Sequence, residues 1–160
     1  MIDATGTEPE EWALWRAFLV SHAQVSRRID AQLHRDAGLA QGEYATITAI
    51  LESPGRRMRV GEIAAALGWE KSRASHLVGR MERRGLLRRE PCADDARAVE
   101  ITVTPEGRRT QIGAIRSHAA EVRRVFLEHV RPEERAVVTE VLTRVLDHLD
   151  QPGQAADRGR

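Results

Sequence analysis

The side chains best suited to do chemistry in this chain are short, polar or basic, and they gather between Lys71 and Arg97. Lys71, Ser72, Arg73, Ser75, His76 and Arg80 fall close together. An arginine can address a guanine edge with paired N–H donors, serine and histidine donate or accept at close range, and lysine neutralises phosphate. That inventory serves recognition of duplex DNA, with no covalent bond made or broken. Arg88 and Arg89 follow and suit phosphate contacts on any sequence. Arg97 suits entry into a minor groove, where narrow A·T tracts concentrate negative potential. Asp95 would repel phosphate if left alone and is read as the local partner that orients Arg97. Arg56, Arg57 and Arg59 lie just ahead, as further phosphate contacts or as a solvated loop.

Other chemistries have less to work with. Ser75 and His76 are neighbours on a helix and point in different directions, and there is no glycine-rich phosphate loop or nucleophile elbow, so an enzyme is not expected. His22, His34, His76, His118, His129 and His148 are scattered, without i, i+4 pairing or a cysteine cluster, so neither a metal site nor a cofactor is expected. Cys92 is the single cysteine and cannot form an internal disulfide, which fits a reducing compartment. As a redox sensor it would need a lowered pKa, with Arg88 and Arg89 as the cations to supply it.

The elements that must position these groups are readable from periodicity. Ile63, Ala64 and Leu67 recur at helical spacing, Gly68-Trp69-Glu70 interrupt, and Leu77, Val78 and Met81 resume, which predicts two short helices joined by a tight turn. The second helix, roughly Lys71 to Arg84, turns its apolar stripe inward and puts Ser72, Arg73, Ser75, His76 and Gly79 on other faces. A recognition helix for a major groove needs that division; the alternative is an ordinary solvated face. Gly79 costs about 1 kcal/mol relative to alanine, so a slightly labile helix or a close backbone approach is expected. After Gly85, Leu86-Leu87-Arg88-Arg89 and Val99-Glu100-Ile101-Thr102-Val103 alternate as two strands around a turn-rich stretch, forming a wing.

The flanks carry apolar stripes. Trp12, Trp15, Phe18, Leu19, Val25, Ile29 and Leu33 repeat at spacings of three and four, and Ile112, Ile115, Val122, Phe126 and Val130 do likewise, predicting long amphipathic helices. Pro132 opens a last helix with Glu133 and Glu134 in its first turn, where acids complement the helix dipole. Val137, Val138, Val141, Leu142, Val145, Leu146 and Leu149 give that helix a broad apolar face. A chain this small does not easily cover all these stripes alone. A two-fold homodimer is expected, its interface including Trp12, Val138, Val141, Leu142, Val145 and Leu149, with recognition helices about 34 to 36 Å apart. The alternative is a monomer with self-covered helices.

Composition agrees with a single, mainly helical domain built on an aliphatic core, since 41% of the 160 residues are hydrophobic and only 4% aromatic. The net charge of +1 conceals an uneven placement: Lys71 to Arg97 holds eight Lys or Arg against four acids, a local +4 that leaves −3 elsewhere. The N-terminus MIDATGTEPEEW is acidic and no apolar run approaches a membrane span, so neither signal peptide nor membrane segment is expected and the protein should be cytoplasmic. The tail QPGQAADRGR, residues 151–160, is expected to be disordered. The predicted binding helix and wing offer no aromatic platform for single-stranded RNA, which leaves a protein-docking winged helix as the alternative to duplex DNA.

The stretch RGLLRRxxxxDDARxxxITVTPEG, with Gly85, Arg89, Asp95, Arg97, Thr104 and Gly107 at these spacings, resembles the MarR family of winged helix-turn-helix transcriptional regulators. The D-x-R element and the Val-Thr-x-x-Gly exit into a helix are the more specific marks, and the likeness runs from about Glu11 to Leu149. It implies a mainly α fold with a small β-wing: a DNA-binding lobe over about 38–107, flanked by dimerisation helices over about 10–35 and 108–150. It also implies base and phosphate contacts at Ser72, Arg73, Ser75 and His76, and a wing-tip Arg97 braced by Asp95. The implied function is a repressor on a pseudo-palindromic operator that responds to a small aromatic or phenolic ligand between the dimer helices and the DNA-binding lobe. Trp15, His22, Tyr44 and His118 are the candidates for that crevice, against a plain reading as core rings and satisfied histidines. A redox- or metal-responsive regulator of the same fold is the alternative, although peroxide-sensing relatives carry their cysteine in the first helix, where this chain has none. Ala40 departs from the family, which commonly places a Ser or Thr cap before the second helix.

Overall fold

The computed structural model describes residues 8–92 and 98–149, so the wing-tip pair Asp95 and Arg97 and the 151–160 tail lie outside the described residues. The chain divides into two compact units, Met1–Val122 and Arg123–Arg160.

In the first unit, α1 (Pro9–Ala37) begins with proline in its first turn and with Glu11 Oε2 accepting the Glu8 N–H at 2.9 Å. It runs to Gly38 and turns into α2 (Gln41–Glu52). The hydroxyl cap missing at Ala40 is replaced from two sides: Glu43 accepts the Ala40 N–H at 3.0 Å, and Asp30 of α1 accepts the Gln41 N–H at 2.7 Å. The helix-turn-helix is α3 (Val60–Ala66) and α4 (Lys71–Arg83), the latter one residue short of the predicted Arg84. The wing strands are β2 (Leu87–Pro91) and β3 (Val99–Val103), antiparallel, with Leu87 opposite Val103 and Pro91 opposite Val99.

A third strand, β1 (Arg57–Met58), joins the other edge of β3 and makes the order β1-β3-β2, where only a two-stranded wing was expected. Two residues cannot display a period-two pattern, so β1 leaves no sequence signal. Beyond the wing, α5 (Pro105–Val125) is long, as its apolar spacing predicts, but it stops short of Val130. Phe126 leaves helical geometry (φ −137°, ψ −59°), and Leu127–His129 form a 3-10 turn that keeps an apolar spacing without continuing the helix.

The core of this unit is aliphatic. Leu39, Ile47, Ile50, Ile63, Leu77, Val78, Met81, Leu86, Leu87 and Ile101 meet in one cluster fed by α2, α3, α4 and the sheet. The second half of α1 joins the unit through buried Ile29 and Leu33. Buried Gln32 of α1 donates to Ser117 of α5 at 3.0 Å, and Gln111 of α5 donates to Thr48 of α2 at 2.9 Å. The first bond joins α1 to α5 and the second joins α5 to α2. The first half of α1 is different: Trp12, Trp15, Phe18 and Leu19 are all exposed.

The second unit takes in the last residues of α5, the Phe126 break and the 127–129 turn, and then α6 (Arg135–Leu149), entered through a 3-10 turn at Pro132–Glu134 in which Glu134 accepts the Arg131 N–H at 3.0 Å. None of its described residues is buried. Val141, Leu142, Val145 and Leu149 are between 40% and 71% exposed and Val138 is half-buried, so the described residues of this unit leave the face uncovered. Among the described residues, no helix is long and apolar enough to cross a membrane.

Candidate nucleic-acid interface

Helix α4 divides its residues as a groove-binding helix must. Ala74, Leu77, Val78 and Met81 are buried, while Lys71, Ser72, Arg73, Ser75, His76 and Arg80 are all exposed. The side chains of Lys71, Ser72, Ser75, His76 and Arg80 make no ion pair or hydrogen bond among the described residues. Glu70 caps α4 with no side-chain hydrogen bond, which leaves first-turn N–H groups open at its positive end. Arg73 is held differently: its guanidinium lies 4.6 Å above the centre of the Trp69 ring. Gly79 is half-buried, and a methyl group there would come no nearer than 3.7 Å to the end of the Arg83 side chain. Of the two expectations for Gly79, a labile helix or a close backbone approach, the second finds no partner among the described residues.

The end of α4 is anchored by residues that spacing alone does not reveal. Arg84 Nη1 donates to both oxygens of Glu43 at 2.7 and 2.6 Å, and Arg84 Nη2 donates to the Gly38 carbonyl at 2.7 Å. Glu43 is only 5% exposed and also caps α2, so one carboxylate ties the α1–α2 corner to the base of the recognition helix. The lone sequence hint is an acid at the third position of α2.

Gly85 then ends the helix in the left-handed region (φ 72°), with Leu86 N–H donating back to Met81 at 3.0 Å. Thr104 locks this corner to α5. Its hydroxyl donates to the Gly85 carbonyl at 2.6 Å, its N–H donates to Leu86 at 3.1 Å, and its oxygen accepts the Gly107 N–H at 3.0 Å as the cap of α5. A Cβ at Gly107 would sit 2.2 Å from the Leu86 carbonyl oxygen. The spacing of Gly85, Thr104 and Gly107 is thus a geometric requirement of the joint between wing and helix.

The arginines of the wing are exposed but paired. Arg88 meets Glu90 at 2.8 Å and the Thr102 hydroxyl at 3.1 Å, and Arg89 meets Glu82 at 3.0 Å. Expected as phosphate contacts, both are part-neutralised by these acids. Their side chains remain 59% and 40% exposed, and exposed ion pairs contribute about 1 kcal/mol or less, so a phosphate can displace the acid. Arg57, read as a phosphate contact or solvated loop, instead pairs across the sheet with Glu100 at 3.2 Å. Cys92 is buried just beyond the far end of β2, its N–H donating to Ala98 at 3.0 Å, and a cation near its sulfur is Arg59 at 3.8 Å, where Arg88 and Arg89 were expected. Among the described residues, no group of three His, Cys, Asp or Glu is placed to hold a metal ion.

The four ligand-crevice candidates divide between separate places. Tyr44 and His118 meet with ring centres 4.4 Å apart and line a cleft of about 590 Å³ with Thr48, Glu52, Met58 and Leu67. His118 Nδ1 is buried without a hydrogen-bond partner, and burial holds its imidazole below the ordinary pKa. Burial, and then the nearby Glu52 charge, pushes the Tyr44 phenol up. His22 lines a second, larger cleft of about 1310 Å³ beside α4, together with Ser26, Asp30, Arg73 and His76. Trp15 lines neither; it stacks on Phe18 at 5.8 Å and is half exposed.

Comparison with known proteins bears on this geometry. A family model described as "MarR family" matches residues 37–98, which span α2 to the wing. The transcriptional regulator HosA of Escherichia coli is 31% identical over 114 residues, covering 71% of this chain and 82% of HosA. Among solved structures, Sco3205, a MarR family transcriptional regulator from Streptomyces coelicolor in complex with DNA, superposes with a TM-score of 0.87 at 31% identity, covering 91% of each chain. AbsC, a MarR family transcriptional regulator from the same organism, gives a TM-score of 0.83 at 31% identity over 89% of this chain and 96% of its own.

Proposed function

Because the chain belongs to the MarR family of DNA-binding transcriptional regulators, we propose that it acts as a homodimeric repressor that binds a pseudo-palindromic operator and responds to a small aromatic ligand. The observation that carries this reading is the division of α4: its polar and basic face is exposed, with Lys71, Ser72, Ser75, His76 and Arg80 unpaired among the described residues, opposite a buried stripe. Ser72, Ser75 and His76 read base edges in the major groove, Lys71 and Arg80 hold phosphates beside them, and Arg88 and Arg89 exchange their acids for phosphates. Arg97, oriented by Asp95, enters the minor groove from the wing.

Dimerisation is supported by the uncovered apolar residues of α1 and α6, with Trp12, Val138, Val141, Leu142, Val145 and Leu149 in the interface. Ligand response is supported by the Tyr44–His118 cleft, whose volume is that of small-molecule sites and whose paired rings suit an aromatic ligand. Such a ligand shifts operator binding only by its differential affinity for the binding and non-binding arrangements. The protein works in the cytoplasm, alongside its DNA.

The test is binding to the duplex upstream of its own gene and to random duplex, at several salt concentrations, with the stoichiometry read by sedimentation. Selective, salt-sensitive binding of two chains per site is expected. Absence of duplex affinity at moderate salt, even for fragments selected from the genome, would favour a protein-docking winged helix.

A further inference from the structure

Arg73 is held by a ring, which separates it both from the acid-paired arginines of the interface and from Arg80, which makes no ion pair or hydrogen bond among the described residues. Arg57, Arg84, Arg88 and Arg89 each meet a carboxylate. Arg73 has no such partner among the described residues and lies on the Trp69 ring. The two are four residues apart, but they straddle the start of α4: Trp69 is in the turn and Arg73 in the first helical turn. The ring is itself fixed. Its backbone N–H donates to Ala64 of α3 at 2.8 Å, it packs half-buried against the core cluster, and its far edge fills the space where a Cβ on Gly42 would meet Cη2 at 3.1 Å. The row Gly42, Trp69, Arg73 therefore runs from the first turn of α2 to the head of the recognition helix.

Stacking engages the flat face of a guanidinium and leaves its N–H donors free around the rim, in the plane that a guanine edge requires. An unsupported arginine must give up its rotamer freedom at the moment it binds. We infer that Trp69 is a specificity-determining positioning residue: it presents Arg73 to the base edges with its orientation already set, so Arg73 contributes sequence selectivity and not only charge. This rests on the duplex-reading function proposed above and adds to it a residue that touches no DNA itself.

The experiment is a double-mutant cycle with the full chain on a selected operator and on random duplex, using Trp69→Leu, Arg73→Ala and both together. Trp69→Leu should lower the operator-to-random affinity ratio by about 2- to 5-fold, the range that follows from a surface cation–π contact. It should leave affinity for random duplex unchanged and have no effect in the Arg73→Ala background. Trp69→Phe, which keeps an aromatic face, should restore most of the ratio. Arg73→Lys preserves the charge without the planar fork and should lose selectivity even if Trp69→Leu does not fold. The proposal is overturned if Trp69→Leu weakens both duplexes alike, if it acts equally without Arg73, or if Arg73→Lys keeps full selectivity. Failure of the unaltered protein to bind any duplex would instead remove the underlying reading, and this proposal with it.

Discussion

Replacing Gly107 with alanine should unfold the joint between wing and α5, and the size of the effect follows from the contacts. The new Cβ would lie 2.2 Å from the Leu86 carbonyl oxygen and 3.0 Å from Val103 Cγ1. Real Cβ atoms essentially never approach within 3.0 Å, so α5 and the start of β2 must separate by at least about 0.8 Å in a close-packed region. The obstructing atom is backbone and cannot rotate away. Overpacking of this kind costs about 1–3 kcal/mol. Separation also stretches the Thr104 bonds to Gly85 and Leu86, at about 1 kcal/mol each. The total is roughly 3–5 kcal/mol, which lowers the melting temperature by roughly 6–20 °C for a chain of this size. Urea and thermal melts followed by circular dichroism would measure it. The control is Gly113→Ala in the same helix, where nothing lies within 4 Å of the added methyl group and a gain of up to about 1 kcal/mol is expected. If Gly107→Ala were as stable as the parent, the close approach could not be what the glycine provides.

Other perturbations bear on separate parts of the structure. Arg84→Ala should destabilise by about 2–3 kcal/mol, because it leaves the buried Glu43 carboxylate without its cation, and a urea melt matching the parent would contradict that anchor. Gly79→Ala should stabilise α4 by up to about 1 kcal/mol, since the added methyl group makes only an ordinary contact, 3.7 Å from the end of the Arg83 side chain; a loss of stability would refute this. His118 is held below its ordinary pKa of 6.5 by burial, so the unfolded chain binds this proton more readily than the folded one. Its contribution is therefore complete above pH 6.5 and is lost as pH falls through the folded value, and His118→Phe should flatten that part of a stability-versus-pH curve. An unchanged slope would mean that the imidazole is not desolvated in the folded state.

The parts of this molecule legible in its sequence are those set by local periodicity. The inward stripe Leu77, Val78 and Met81 and its polar complement at Ser72, Ser75 and His76 follow from the helical repeat, so α4 lies where its pattern puts it. Pairings between distant residues are not local and were not legible. Glu43 and Arg84 are 41 positions apart, and nothing in the spacing of either announces the other. Charge counting finds the basic surplus of the 71–97 region but not that Glu82 and Glu90 occupy Arg89 and Arg88. The break at Phe126 was hidden because Leu127 and Val130 keep an apolar rhythm through a 3-10 turn. Trp69 and Arg73 have helical spacing, but the pair straddles a helix boundary, where periodicity carries no prediction.

The central claim is that the exposed face of α4 reads bases, and the most direct measurement is the affinity of Ser75→Ala and His76→Ala for a selected operator and for random duplex at fixed salt. The account predicts a loss of about 1–3 kcal/mol on the operator for each lost base contact, with random-duplex affinity unchanged. Equal losses on both duplexes, or none on either, would contradict it.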